Sequence, residues 1–361
     1  MTIAAANALT AAWARTITGG TVLSGAGLYP LLHLLATAAD GAARDELLAV
    51  AATPLPWPSG DAVRAATGLW ARADVPLGPA AAGLVAGVLT GDRAPLDAWA
   101  AERTGGLVPR MPVTVDSSTR LVLASALAVT TTWDLPFNDG WLWPSPGPWA
   151  GRRLTELSRF DPDLGTVRVV DSPAGPLTTV TVHGGDDLDV VLLLGAPDPT
   201  PGSVVAAGIT TLDAPSLPLE GPGIRHHRWP AGPGVYLRLP RFTVGGDHDL
   251  LNHADLFGLR SATDAGRGHF PGIGPADLAV QQAAQAATAT FTAVGFKAAA
   301  VTVVAMMAGG AATGAPHDQV EVTFDRPFGF LTVHRPTGLV LFAGWVDDPE
   351  PSPSSSNDVL V

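Results

Sequence analysis

The residues best equipped to hold a metal ion in this chain are its histidines. His226 and His227 stand side by side between Arg225 and Arg228, with His248, His253 and His269 downstream. Neighbouring residues on a strand point to opposite faces, so a single ion would not readily take both members of the pair. A solvated loop is the expected state there, and no metal site is assigned. Nucleophilic catalysis would need a context such as Gly-x-Ser-x-Gly, which is absent. Gly309 to Gly314 is glycine-rich but lacks the lysine and the spacing of a phosphate-binding loop. The expectation is therefore a protein that is not an enzyme and has no cofactor. One stretch stands out by its chemistry: Ala298 to Met307 holds only small, β-branched or thioether side chains, with no charge, proline or glycine. In isolation it reads as a buried strand or helix.

The elements that must position such residues are bounded by composition. The chain has 361 residues, 47% hydrophobic and 15% charged, enough for a sizeable core and against wholesale disorder. Its 33 acidic and 21 basic residues give a net charge of −12, which disfavours nonspecific binding to nucleic acid or an anionic membrane surface. With no cysteine there are neither disulfides nor thiolate metal sites. Met1 to Gly20 has no basic leader and reads as a first helix, so a cytoplasmic location is expected. The most apolar run, Ala298 to Ala308, is shorter than the ~20 residues that span a bilayer.

Leu31, Leu32, Leu34, Leu35, Leu47 and Leu48 recur at helical intervals around an Asp40-Gly41 turn, predicting two helices. Thr67 to Val75 is expected as a strand, Gly78 to Leu89 as a small-residue helix, and Asp92 to Thr104 as a helix carrying Trp99. Leu121 to Thr132 is aliphatic and β-branched without strict alternation, which predicts a central strand buried on both faces. Further strands are expected at Leu177 to His183, Leu188 to Leu194, Gly234 to Leu239, Ala287 to Val294, Val320 to Phe324, Phe328 to His334 and Val340 to Trp345. Pro144 to Pro148 and Pro197 to Pro201 read as loops, and Asp347 to Val361 as a disordered tail.

Several segments, in order, are similar to those of the serpin (serine protease inhibitor) family. Leu121-Val-Leu-Ala-Ser-Ala-Leu-Ala-Val-Thr-Thr-Thr-Trp133 with Pro136-Phe137-Asn138 resembles the strand that ends in a tryptophan at the top of the main sheet. Leu96 to Leu107, with Trp99 and Thr104-Gly105-Gly106-Leu107, resembles a helix of the family. Leu239-Pro-Arg-Phe-Thr-Val244, Leu256-Phe-Gly-Leu259 and His269-Phe-Pro-Gly-Ile273 match the region before the reactive loop. Phe324-Asp-Arg-Pro-Phe-Gly-Phe-Leu331 and Val340-Leu-Phe-Ala-Gly-Trp-Val-Asp-Asp-Pro349 resemble the closing strands. The resemblance covers about residues 20 to 349 and implies an α+β serpin fold: a large mixed sheet, further sheets, N-terminal helices and an exposed reactive-centre loop. Residues 1–349 are expected as one domain and 350–361 as a tail. Two departures are expected: no room for an edge strand between the helix at Gly78 to Leu89 and the one at Asp92, and little around Pro54 to Ser59 for the helix that binds heparin in some members.

The resemblance also implies a mechanism. A serine protease acylates itself on the loop, the cut loop inserts as a new central strand, and the tethered enzyme is distorted before it can deacylate; loop insertion is a known case of strand addition. Gly295 matches the glycine that opens the mobile hinge, followed by Phe296, Lys297, Ala298, Ala299, Ala300, Val301 and Thr302. On strand alternation Phe296, Ala298, Ala300, Thr302, Val304 and Met306 face inward, and none is charged. Phe296 is larger than inhibitory members carry there, and because it enters first it is expected to slow insertion. The cut is expected near Met306, Met307, Ala308, Gly309 or Gly310. With no Lys or Arg from Ala298 to Gln319, an elastase-like or subtilisin-like protease is the expected partner. Ser24, Ser125 and Gln285 match the polar cluster under the opening point of the sheet, and Trp133 the aromatic at its top. A monomer is expected. Phe296, Ala293-Val294 in place of hinge glutamates and the altered cluster keep open a non-inhibitory serpin-fold protein that acts as a binding module, chaperone or scaffold.

Overall fold

The computed structural model describes residues 2–58, 60, 62–78, 81, 85–116, 119–144, 147–229, 232–274, 278–296 and 317–352. Three helices open the chain: α1 (Thr2–Ala14), α2 (Gly25–Ala38) and α3 (Gly41–Ala51). Ser24 caps α2 by accepting the Gly27 N–H, which satisfies one of the orphan donors of the first turn. Asp40-Gly41 makes the turn into α3, with Gly41 at φ +53°. Later come α4 (Ala94–Thr104), closed by left-handed Gly105, and α5 (Pro201–Thr210), which starts on a proline capped by Thr200. The expected loop at Pro197 to Pro201 is thus the lead-in to a helix.

The strands are β1 (Thr21–Leu23), β2 (Val63–Arg72), β3 (Val85–Leu89), β4 (Leu121–Val129), β5 (Thr131–Thr132), β6 (Asn138–Leu142), β7 (Leu154–Asp161), β8 (Val167–Val170) and β9 (Leu177–His183). They continue with β10 (Leu188–Leu194), β11 (Ile224–Trp229), β12 (Gly234–Pro240), β13 (Phe242–Asp249), β14 (Ala284–Phe291), β15 (Gly295–Phe296), β16 (His317–Thr323), β17 (Phe328–His334) and β18 (Leu339–Val346). They form four sheets: β1-β18-β17-β10-β9-β8, β11-β16-β12-β7-β6, β13-β14-β15-β5 and β3-β2-β4. Every residue of β10 and of β18 is buried, as near-continuous apolar runs require. Phe242 and Phe291 stack at 5.4 Å between centroids, and Phe242 also meets Phe328 and Phe330, so β13 and β14 share a core with the six-stranded sheet. A second apolar cluster, built on Trp70, Trp99, Met111 and Val122, lies under α4.

Several expectations are corrected. Val85–Leu89 is a strand running parallel to β2 at the edge of its sheet, so the edge strand for which no room was foreseen is present. Val85 and Val88 favour it, and Gly87 leaves space for Trp70, whose ring a Cβ there would meet at 2.1 Å. Leu121 to Thr132 breaks at Thr130 into β4 and β5, and its first half alternates between buried and half-buried positions. His226 and His227 lie on β11, not in a loop. The end of the chain is ordered through Ser352: Glu350 donates to Arg241 O, Ser352 donates to Arg153 O, and Pro351 bridges Leu154.

Candidate functional site

The site is the interval between β4 and β14, two strands that approach each other without pairing. β4 pairs with β2 along one edge, and β14 pairs with β13 along one edge. At the top the interval between them is filled by β15, where Gly295 and Phe296 pair with Thr132 and Thr131 of β5 and Phe296 also pairs with Phe291 of β14. Below β15, no described strand lies between β4 and β14. The floor of the lower cleft is apolar: Leu28, Leu31, Leu32 and Leu35 of α2, flanked by Leu121 and Leu123 on one side and residues 278–283 on the other. Two strand edges facing each other across an apolar floor are a template for one more strand.

Sequence and geometry meet closely at the mouth of this gap. A Cβ on Gly295 would lie 2.2 Å from Thr131 O, so the strand can enter there only as glycine. Phe296 is 1% exposed, and its ring lies 6.2 Å from that of Phe330. The expected obstacle is therefore already inside the sheet in the intact chain, because the pocket beside Phe330 accommodates the ring. Trp133 closes the mouth: its Nε1 donates to Thr292 O at 2.8 Å, its N–H donates to Val294 O, and its ring stands 4.6 Å from Phe291. Behind it, Gly185 N–H donates to Thr132 O, and Arg335 donates to Gly184 O while gripping Asp189. The hydrogen bond to Asp189 holds the Arg335 guanidinium above its ordinary value.

Ser24, Ser125 and Gln285 come together under the gap. The Gln285 amide donates to Ser24 O and accepts the Ser24 N–H, both at 2.8 Å. Ser24 Oγ donates to Leu341 O, and Ser125 Oγ donates to Gly27 O. The N-terminus of α2 thereby ties β14, β4 and β18 to one point. Two further groups were not foreseen. His248 lies opposite Gln285 in the β13–β14 register and holds Val22 O at 2.9 Å through Nε2. Residues 107–115, leading out of α4, pass beside β13 and β14, and the Gln282 amide exchanges two 2.8 Å hydrogen bonds with the Thr114 backbone. Contacts between residues so far apart in sequence leave no local signal.

Lys297, Ala298, Ala299, Ala300, Val301 and Thr302 of the hinge, and Met306, Met307, Ala308, Gly309 and Gly310 of the expected cut region, lie outside the described residues. The histidines remain apart. His226 donates to Leu219 O, His227 lies 3.4 Å from Glu321, and His269 is buried against Asp264 O. Among the described residues no group of three or more His, Cys, Asp or Glu could hold a metal ion. No described helix is long and apolar enough to cross a membrane.

Comparison with known proteins gives the class of fold first. The structure of native protease nexin-1 with heparin superposes with a TM-score of 0.72 at 18% identity, over 96% of this chain and 98% of that one. Tengpin, a thermophilic serpin in its native state, gives 0.72 at 14% identity, over 96% and 93%. A thyroxine-binding globulin complex with thyroxine gives 0.72 at 15%, over 97% and 99%. The fold is the α+β serpin fold. A family model described as Serpin (serine protease inhibitor) matches residues 224–349. Serine proteinase inhibitor 1 of Myxoma virus (strain Lausanne) is 26% identical over 262 residues, 71% of this chain and 64% of that protein. Human plasminogen activator inhibitor 2 is 25% identical over 268 residues, 71% of this chain and 60% of that protein. The chain thus spans less than two thirds of the length of these curated relatives. Over nearly its whole length the chain has the serpin fold, and residues 224–349 match the serpin family model.

Proposed function

We propose that this serpin traps a serine protease by letting its cut loop become the strand missing between β4 and β14. The observation that carries this reading is the gap itself: apolar below, and entered at the top by Gly295 and Phe296 on the N-terminal side of the loop. Residues 298–307 are free of charge, proline and glycine, as a central strand requires. A strand paired on both sides adds on the order of ten backbone hydrogen bonds at about 1 kcal/mol net each, a driving force that cleavage releases. The absence of Lys and Arg from Ala298 to Gln319 favours an elastase-like or subtilisin-like target. The test is incubation with both kinds of protease. A covalent complex that survives denaturation is expected, together with a sharp rise in the melting temperature of the cut chain. Proteases that cut the loop and stay active, with no complex and an unchanged melt, would sink the reading.

A second reading has its own observation. Beside α5 a cleft of mixed lining brings Arg168, Thr179, Asp189 and Arg335 together with Val191 and Val333, and the neighbouring folds include a globulin solved with a small ligand. A non-inhibitory member would use such a cleft to bind a small polar molecule. It is favoured if the cut chain gains stability without any protease being held.

A further inference from the structure

Of the large apolar side chains left exposed, Leu135, Trp141, Trp143, Phe160 and Tyr236 all lie on or beside the five-stranded sheet. Trp141 and Trp143 are occupied by Arg153, whose guanidinium stands 4.2 Å and 5.9 Å from their rings. Phe160 and Tyr236 are differently placed. They face each other in the β7–β12 register, Tyr236 is opposite Glu321 on β16, and Glu321 is opposite Arg225 on β11. Phe160, Tyr236, Glu321 and Arg225 therefore form one row across four strands, on one face of the sheet. The adjoining row contains Gly234, Gln319 and His227. Gly234 is the floor on which the Phe160 ring lies, since a Cβ there would meet Phe160 Cζ at 2.5 Å. Phe160 and Tyr236 are 37% and 40% exposed, and Arg225 and His227 are exposed beside them. In a chain of net charge −12, the face has an aromatic end, Phe160 and Tyr236, and a margin where Arg225 and His227 flank Glu321, which lies 3.4 Å from His227.

The occupant follows from where the chain leads. The segment after Phe296 returns to the described residues at His317, the first residue of β16, which is a central strand of this face. The expected cut region, 306–310, is 7 to 11 residues before His317. At full extension that is at most about 23–40 Å. A globular partner of about 200 residues has a radius of gyration of about 16 Å, so a protease seated on the cut region is held over this sheet. We propose that the Phe160–Tyr236 face is a second contact surface for that protease, with the Arg225 margin meeting acidic residues on it. Exposed aromatics next to arginine are the usual material of such contacts. The inference rests on the inhibitory reading for the identity of the partner, but its test does not require the trap to close.

The experiment measures the second-order rate at which an elastase-like and a subtilisin-like protease cut the loop in the full chain, alongside a synthetic peptide of residues 296–317. The intact chain is expected to be cut faster than the peptide. The Phe160→Ala/Tyr236→Ala double variant should be cut about ten-fold more slowly. Trp141→Ala/Trp143→Ala, which removes more exposed apolar surface, at the far edge of the sheet, should be cut at the wild-type rate. Arg225→Glu provides a second variant, expected to slow cutting most at low ionic strength. The proposal is overturned by a Phe160→Ala/Tyr236→Ala chain that melts as wild type and is cut at the wild-type rate. Equal slowing by the two tryptophan substitutions overturns it too, as does a peptide cut as fast as the intact chain. Failure of the inhibitory reading is read separately, as the absence of a covalent complex while the rate differences persist.

Discussion

Gln285 does with one amide what several residues would otherwise share: it satisfies both backbone groups of Ser24, which is itself 1% exposed. Gln285→Ala leaves the buried Ser24 N–H without a partner, at about 1–3 kcal/mol, while Ser24 O keeps the N–H of Leu28. The expected loss is about 1–3 kcal/mol in denaturant unfolding, accompanied by easier separation of β14 from α2. Gly295 acts by having nothing to place against Thr131 O. Gly295→Ala should drive β15 out of the gap and leave the backbone around Val294 to Phe296 open, visible as new limited proteolysis there while the remaining fragments stay folded. These positions were legible in sequence because they sit inside recognisable motifs. Gln282 and Thr114 were not, because a side-chain amide reaching a backbone 168 residues away leaves no mark on either stretch.

At the scale of elements, the reading succeeded where pattern and length agreed and failed where composition was ambiguous. The leucines of α2 and α3, and the closing strands β17 and β18, carried their own periodicity. Residues 78–89 did not: small residues serve a helix or a close-packed strand equally, and the parallel partner that settles β3 is supplied by β2. β11 was missed because its four central residues are Arg225, His226, His227 and Arg228, and pairing with β16, not burial, makes it a strand. The β9–β10 turn offers a check at this scale. Asp186 and Asp187 both hold positive φ, 56° and 58°, as the central pair of the turn that Leu188 N–H closes onto Gly185 O, a conformation that prefers Asn-Gly. Asp186→Asn/Asp187→Gly is expected to stabilise by about 0.5–1 kcal/mol. The 3.8 Å pair of Asp187 with Arg335 that it removes is exposed and contributes little. A raised denaturation midpoint with an unchanged slope is the measurement.

For the whole molecule, the fold was readable because ordered motifs span most of the chain. The gap was not, because a strand that is missing from a sheet is not written in any local pattern. If the cut loop fills this interval as proposed, the intact molecule is a loaded one, and β16 sets how long it stays so. β16 is paired on both sides, antiparallel to β11 and parallel to β12. Uncut, residues 297–316 span at most about 66–72 Å, and a path down the gap and back to His317 uses that length twice. The descent is therefore limited to about ten residues, and any further residue must be taken from β16 by breaking two ladders at once. The quantity at stake is shelf life: the molecule ages at the rate at which a doubly paired strand frays. Arg228→Pro, which removes a backbone donor from β11 at a position on the opposite face from Phe160 and Tyr236, should leave freshly made protein unchanged in its reaction with protease. On storage its melting temperature should drift upward and its reactivity fade sooner than in wild type, as loops seat themselves uncut. A variant that keeps as well as wild type would mean that the clock is set elsewhere.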